Sequence, residues 1–203
     1  MRKLIASVNI TLDGFMAGIN GELDWHFPFW TEEMGEYVFR QLRLADTILA
    51  GRVTYQKMAA YWPLATRDDF SDMMNNYEKV VFSTSMTGAA WQHTRIVAKN
   101  MGEEVSRLKR QSGRDIIIYG SASIVQAIGR MGLIDEYHIW VHPIVIGKGL
   151  PLFKNNHHPL WLKLLHTKWF CSGVMLLYYG PEAPPRPSTT HPTPQTAHSN
   201  GLF

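Results

Sequence analysis

The run Ile116-Ile117-Ile118-Tyr119-Gly120-Ser121 sets a continuous apolar segment against a glycine turn, and an amphipathic stretch follows it to Met131. Gly132-Leu133-Ile134-Asp135-Glu136 then leads into a second apolar run, which closes on Pro143-Ile144-Val145-Ile146-Gly147-Lys148-Gly149-Leu150-Pro151-Leu152-Phe153. A short apolar run bounded by turn residues reads as a buried strand, and the 3.6-residue spacing after it reads as a helix. A strand that turns through glycine into a helix start leaves several backbone N–H groups unpaired beside the positive end of the helix dipole. Such a corner suits an anion, and a dinucleotide pyrophosphate is the right size for it.

Working outward, the same corner recurs earlier in the chain. Thr47 to Ala50 reads as a strand, Gly51 as the turn, and Val53 to Met58 as a short helix that ends before Trp62-Pro63. Leu4 to Ile10 reads as the first strand, and glycines 14, 18 and 21 mark a loop after it. Thr31 is placed to cap a helix from Glu32 to about Ala45, with Met34, Val38, Leu42 and Ala45 facing inward. Lys79 to Ser83 and Thr94 to Ala98 read as strands, and Met101 to Gln111 as a helix. This alternation predicts an α/β fold, a mostly parallel central sheet with helices on both faces, because parallel neighbours need crossover elements. Leu160 to Phe170 and Val174 to Tyr179, on either side of Cys171-Ser172-Gly173, predict a C-terminal antiparallel hairpin at the sheet edge.

Composition narrows the function classes. The 203 residues suffice for one domain, read as residues 1–180, and the Pro/Thr/Ser/His-rich segment 181–203 reads as a disordered tail. Pro184-Pro185-Arg186-Pro187 in that tail fits either a polyproline ligand or a plain linker. A net charge of +3 with scattered Lys and Arg suits an anionic small molecule, whereas the missing basic stripe argues against nucleic acid. No stretch nears the roughly 18 apolar residues of a membrane span. The single cysteine, Cys171, excludes an intramolecular disulfide and fits a reducing, cytoplasmic setting. Nine histidines include His138 and His142 flanking Trp140, but no spacing matches a zinc pair, and no metal site is expected. The chain also lacks a GK[ST] phosphate loop, a G-x-S-x-G elbow and a G-x-G-x-x-G turn.

Several short motifs stand in a telling order: Thr11-Leu12-Asp13-Gly14, Asp24-Trp25, Gly51-Arg52-Val53-Thr54-Tyr55, Ile118-Tyr119-Gly120-Ser121, and Gly147 to Phe153. Taken together, the chain from about Arg2 to about Gly180 resembles the dihydrofolate reductase superfamily. Within it, the resemblance is greatest to the reductase domain of bifunctional riboflavin-biosynthesis deaminase-reductases and its stand-alone relatives. The resemblance implies a three-layer dihydrofolate reductase-like fold and NADPH as cofactor. It implies hydride transfer to a small-molecule carbonyl or imine, with 5-amino-6-(5-phosphoribosylamino)uracil as the prototype substrate. A dihydropterin or xenobiotic reductase of the same fold, or a non-catalytic nucleotide-binding scaffold, are the alternatives.

The residue roles follow from that likeness. Gly51, Arg52 and Thr54 match a glycine-arginine-x-threonine element that contacts the adenine-side phosphates; read alone, the same motif is equally a helix start with a surface arginine. Ser83, Thr84 and Ser85 match hydroxyl residues near the ribose 2′-phosphate, and Gly120, Ser121 and Ala122 the pyrophosphate corner. Ser121 replaces the second glycine of the family and is a good helix cap by type. Ala6 and Ser7 match the strand end along the nicotinamide. Asp13-Gly14 and Gly21 to Trp25 bracket a loop like the family's mobile lid, which makes Asp13, Trp25 and Trp30 the lid and substrate candidates. Trp30 stands near the place of the family's proton-donating carboxylate, so Asp24 and Glu32, with Glu33, are the substitutes considered. The missing carboxylate argues against dihydrofolate as substrate. The resemblance also makes a homodimer plausible, and Trp140, Trp161 and Trp169 are either a partner face or core.

Overall fold

The computed structural model describes residues 1–154 and 158–184. The chain runs β1 (Leu4–Thr11), β2 (Phe15–Ala17), a 3-10 turn (Asp24–Phe29), α1 (Glu32–Leu42), β3 (Ala45–Gly51) and α2 (Arg52–Tyr61). It continues through α3 (Asp69–Asn76), β4 (Glu78–Phe82), β5 (Thr94–Val97), α4 (Met101–Arg110), β6 (Asp115–Tyr119) and α5 (Ala122–Arg130). The last elements are β7 (Glu136–His142), β8 (Leu150–Pro151), β9 (Leu162–Trp169) and β10 (Met175–Pro181).

Eight strands form one sheet in the order β5-β4-β3-β6-β1-β7-β10-β9. The first six are mutually parallel, and β10 and β9 add antiparallel to β7, so the expected mostly parallel sheet and terminal hairpin are both present. Val105, Leu108, Ile124 and Ile128 of α4 and α5 pack on one face against Leu4, Ala6, Val8, Leu49, Ile116 and Ile118. On the other face Met34 and Val38 of α1 pack with Trp140 and Leu176, and Tyr55 and Met74 of α2 and α3 pack with Ile48, Ala50, Val81 and Ile117. The strands are apolar on both faces because both faces are covered, which is why their runs are continuous rather than alternating.

The helix starts follow their caps. Thr31 Oγ1 accepts from the Met34 amide at 3.3 Å, as its position suggested. α1 stops at Leu42 rather than at Ala45, because Ala45 already belongs to β3. α3 was not expected; a reciprocal capping box between Asp68 and Ser71 starts it, with the Ser71 amide donating to Asp68 at 2.7 Å. Among the described residues no helix is long and apolar enough to cross a membrane. Of the expected tail 181–203, Pro181 still belongs to β10 and the Glu182 amide donates to the Trp161 carbonyl at 2.9 Å, while residues from 185 onward lie outside the described residues.

The glycine loop after β1 is more ordered than its composition suggests. β2 pairs antiparallel with β8, Phe15 facing Pro151 and Ala17 facing Leu150, so two loops distant in sequence form a small second sheet. Gly149 is required there by close approach, since any Cβ would overlap the Ala17 carbonyl oxygen. Gly149→Ala is expected to cost about 1–3 kcal/mol by overpacking. A fall in the urea midpoint at unchanged slope measures it, and an unchanged midpoint would show that β2 and β8 separate freely.

Candidate functional site

The site is built at the carboxyl ends of the central strands. β1 pairs with β6 only from Leu4 to Ser7, whereas it pairs with β7 from Ile5 through Thr11. Past Ser7 the edge of β1 facing β6 therefore has no strand beside it, and the chain crossings reverse direction around β1. In open α/β sheets this is where ligands bind. Ala6 is fully buried at the base of the notch, and the Ser7 carbonyl accepts the Gly120 amide at 3.1 Å.

Two helix starts meet beside the notch. β3 and β6 are parallel neighbours, so the turns leaving them, Gly51 into α2 and Gly120-Ser121 into α5, lie side by side. The Gly51 amide donates to Ser121 Oγ at 3.0 Å. A Cβ at Gly51 would stand 3.0 Å from that oxygen and 3.3 Å from Ile124, so the approach admits only glycine without a shift. Thr54 stands within 3.7 Å of the space a Cβ on Gly120 would fill.

Gly120 and Ser121 both adopt left-handed backbone, with φ of +71° and +64°. Ser121 by residue type suggested a helix cap, but its hydroxyl is turned away to Gly51 and no side chain caps α5. The amides of Ser121, Ala122 and Ser123 find no acceptor among the described residues. No side chain caps α2 either. Two uncapped helix starts thus converge, each with orphan N–H donors and a positive dipole end.

The third strand end completes the row. Gly51 pairs with Phe82, which sets Arg52 beside Ser83 on adjacent strand ends. Arg52 is exposed, and its guanidinium reaches only Gln56 at 3.2 Å, so the charge is available at the rim. Ser83 Oγ accepts from the amides of Ser85 and Met86 at 3.2 and 3.1 Å and so shapes its own turn, while Thr84 and Ser85 stay exposed.

Across the notch, the polar face of β1 and β7 carries Ser7, Asn9, His138, Trp140 and His142 at alternating positions. Trp140 Nε1 donates to Ser7 Oγ at 3.3 Å, and His142 Nε2 meets Asn9 Oδ1 at 2.9 Å. The 3-10 turn lies over this row, with Trp25 and Phe29 set edge-on to His142 at ring distances of 5.3 and 5.9 Å. Asn9 and His142 were not singled out as site residues; the alternation that pairs them shows only once β1 and β7 are in register.

The other expected site residues fall at the margins. Asp13 does not face the notch: it accepts from Thr11 Oγ1 at 2.6 Å and from the Gly147 amide at 2.8 Å, pinning the β7–β8 loop, and the Thr11 hydroxyl and those loop amides hold its carboxyl below its ordinary range. Asp24 and Glu32 are both exposed, at the first residues of the 3-10 turn and of α1. Glu33 pairs with Lys168 at 2.6 Å. Trp30 lies half-exposed against Gly35. Trp140 is core, whereas Trp161 and Trp169 are exposed. Lys57 of α2 reaches the Gly21 carbonyl at 2.7 Å, joining the glycine loop to the helix that starts at Gly51. Two open depressions lie at the opposite, amino ends of the strands. Their charged groups satisfy one another in the pairs Arg95–Glu78 and Arg2–Asp46, so these are solvated edges rather than sites.

Burial, and secondarily the nearby His26, pushes the His142 imidazole down to about 4, so it is neutral at pH 7. An unfolded histidine titrates near 6.5 and binds more protons than the folded one between those values, so its contribution is full above pH 6.5 and is lost as pH falls toward 4. His142→Phe is expected to remove up to about 3 kcal/mol of the stability change between pH 7 and 4. Urea melts at several pH values check this; parallel curves for the two proteins would contradict it.

The model of the family described as the RibD C-terminal domain matches residues 2–176 of this chain. The uncharacterized protein YyaP of Bacillus subtilis (strain 168) is 35% identical over 182 residues, covering 88% of this chain and 94% of that protein. Among solved structures, the diaminohydroxyphosphoribosylaminopyrimidine deaminase/5-amino-6-(5-phosphoribosylamino)uracil reductase of Thermotoga maritima superposes with a TM-score of 0.63 at 16% identity, over 89% of this chain and 56% of that one. Dihydrofolate reductase from Enterococcus faecalis, complexed with NADP(H), superposes with a TM-score of 0.61 at 14% identity, over 89% of this chain and 97% of that one.

Proposed function

The chain belongs to the RibD C-terminal domain family, and on that footing we propose that it is an NADPH-dependent reductase of a small-molecule carbonyl or imine. The substrate class we assign resembles 5-amino-6-(5-phosphoribosylamino)uracil. The observation that carries the reading is the meeting of two uncapped helix starts, bridged by the Gly51 amide and Ser121 Oγ at 3.0 Å, with the free Arg52 guanidinium at their rim. Orphan amides at two adjoining dipole ends match two phosphates held close together, and a cation at the edge matches a further phosphate.

In this reading the dinucleotide supplies the hydride. The chain's own residues bind and orient. The amides of Ser121, Ala122 and Ser123 and those opening α2 hold the phosphates, Arg52 with Ser83 to Ser85 selects the 2′-phosphate, and Ala6 and Ser7 border the reduced ring. Trp25 on the 3-10 turn covers the substrate side and excludes water. Proton delivery is assigned to the exposed acids Asp24 or Glu32, which exchange readily with bulk water. The absence of a buried acid at Trp30 favours a riboflavin-type over a pterin substrate.

Arg52→Ala is expected to weaken NADPH by about tenfold or more, the worth of one charge-assisted contact, and to leave NADH nearly unchanged. Quenching of tryptophan fluorescence measures both affinities. Equal losses would contradict the 2′-phosphate role, and a wild-type chain that binds neither cofactor would leave only a scaffold. Oxidation of NADPH dependent on 5-amino-6-(5-phosphoribosylamino)uracil then tests the substrate.

We also propose a homodimer through the sheet edge. β9 is an unpaired edge strand that exposes Leu164, Leu165 and Trp169, the last at 72%. Such edges are normally protected against pairing, and this one places Leu164, Leu165 and Trp169 in solvent beside Lys163 and His166. Light scattering is expected to give twice the chain mass for the wild type and a single mass for Leu165→Lys with Trp169→Lys; a monomeric wild type would overturn it.

A further inference from the structure

Two buried polar atoms lack any hydrogen-bond partner among the described residues: the indole nitrogen of Trp25 and Nδ1 of His142. The rings that carry them are in contact, meeting edge to face with centroids 5.3 Å apart and an interplanar angle of 85°. His142 is fully buried, so its unpaired nitrogen is not a surface accident. A buried polar group without a partner costs about 1–3 kcal/mol, so a group that hydrogen-bonds to both is favoured there.

Their hydrogen-bonding characters are complementary. His142 Nε2 faces Asn9 Oδ1 at 2.9 Å, which places the ring hydrogen on Nε2 and leaves Nδ1 a bare acceptor. The Trp25 indole is a donor only. A hydroxyl group both accepts from a donor and donates to an acceptor at a single oxygen, which fits this pair. The surroundings suit a sugar: His26, Phe29 and the Trp25 ring stand edge-on around His142 within 6.0 Å. Asn9 belongs to the same polar row as Ser7, two residues along β1, so the pair lies beside the notch.

We propose that His142 and Trp25 form a specificity-determining pair in which the Trp25 indole donates to, and His142 Nδ1 accepts from, one hydroxyl of a polyhydroxylated substrate. This rests on the reductase reading for its reaction but not for its binding. The 3-10 turn that carries Trp25 buries none of its residues completely, so its lifting exposes both atoms with little loss of core. Asn9 is the positioning residue that keeps the imidazole in the accepting tautomer.

The test is a titration of the full chain, saturated with NADPH, with D-ribose 5-phosphate, followed by nitrogen-15 NMR. The Trp25 indole signal is identified by its loss in Trp25→Phe and the His142 signals by their loss in His142→Phe. Both sets are expected to shift together and saturably. Each single variant is expected to weaken the sugar about tenfold, and the double variant no further than either, because one hydroxyl is shared. His142→Phe is expected to keep its NADPH affinity, which also verifies its fold; should that variant fail to fold, Trp25→Phe and the wild-type shifts decide alone. A chain that binds NADPH while neither signal responds to the sugar, or a double loss equal to the sum of the single ones, overturns the pair. A chain whose two signals respond to the sugar but which binds no NADPH upholds the pair and ends the reductase reading.

Discussion

One hydrogen bond, from the Gly51 amide to Ser121 Oγ at 3.0 Å, joins the two corners of the site. It spans 70 residues of sequence and fastens the corner leaving β3 to the corner leaving β6. The serine hydroxyl is turned to Gly51 and makes no cap to its own helix, so the amides that a cap would have satisfied stay open. Glycine at 51 favours this, since a larger residue would fit against Ser121 and Ile124 only if they shifted. Ser121 thus works as a clasp that brings two separate dipole ends side by side.

The fold was legible because its signals are local and agree with one another. Apolar runs such as Ile116 to Ile118, glycine corners and caps such as Thr31 each act within a few residues, and the alternation they create leaves few topologies. What escaped was long-range or short. α3 is eight residues with a weak apolar pattern, and only the Asp68–Ser71 box announces it. The pairing of β2 with β8 joins segments more than 130 residues apart, and no periodicity in three and two residues can reveal that.

The site divides along the same line. The corners at Gly51-Arg52 and Ser121-Ala122 could be read as helix starts because such starts are encoded in consecutive residues. Asn9 and His142 were not, because their meeting depends on the register of β1 with β7. Asp13 shows the converse. It belongs to a recognisable motif, yet its carboxylate is spent on Thr11 and Gly147, so its contribution is to hold the β7–β8 loop under the glycine segment. The glycine segment is anchored at one end by the pairing of β2 with β8 and touched at the other by Lys57 from α2, which ties its position to that helix.

The central position of β1 has a consequence for biogenesis. Its two neighbours are β6 and β7, so Leu4 waits for Ile116, and Thr11 waits for His142, before either backbone edge is satisfied. During synthesis the amino-terminal strand leaves the ribosome long before any partner exists, and closing so large a loop is entropically slow. Until β6 and β7 have been made this apolar segment is therefore an unpaired strand, and the notch comes into being only once β7 is laid beside it.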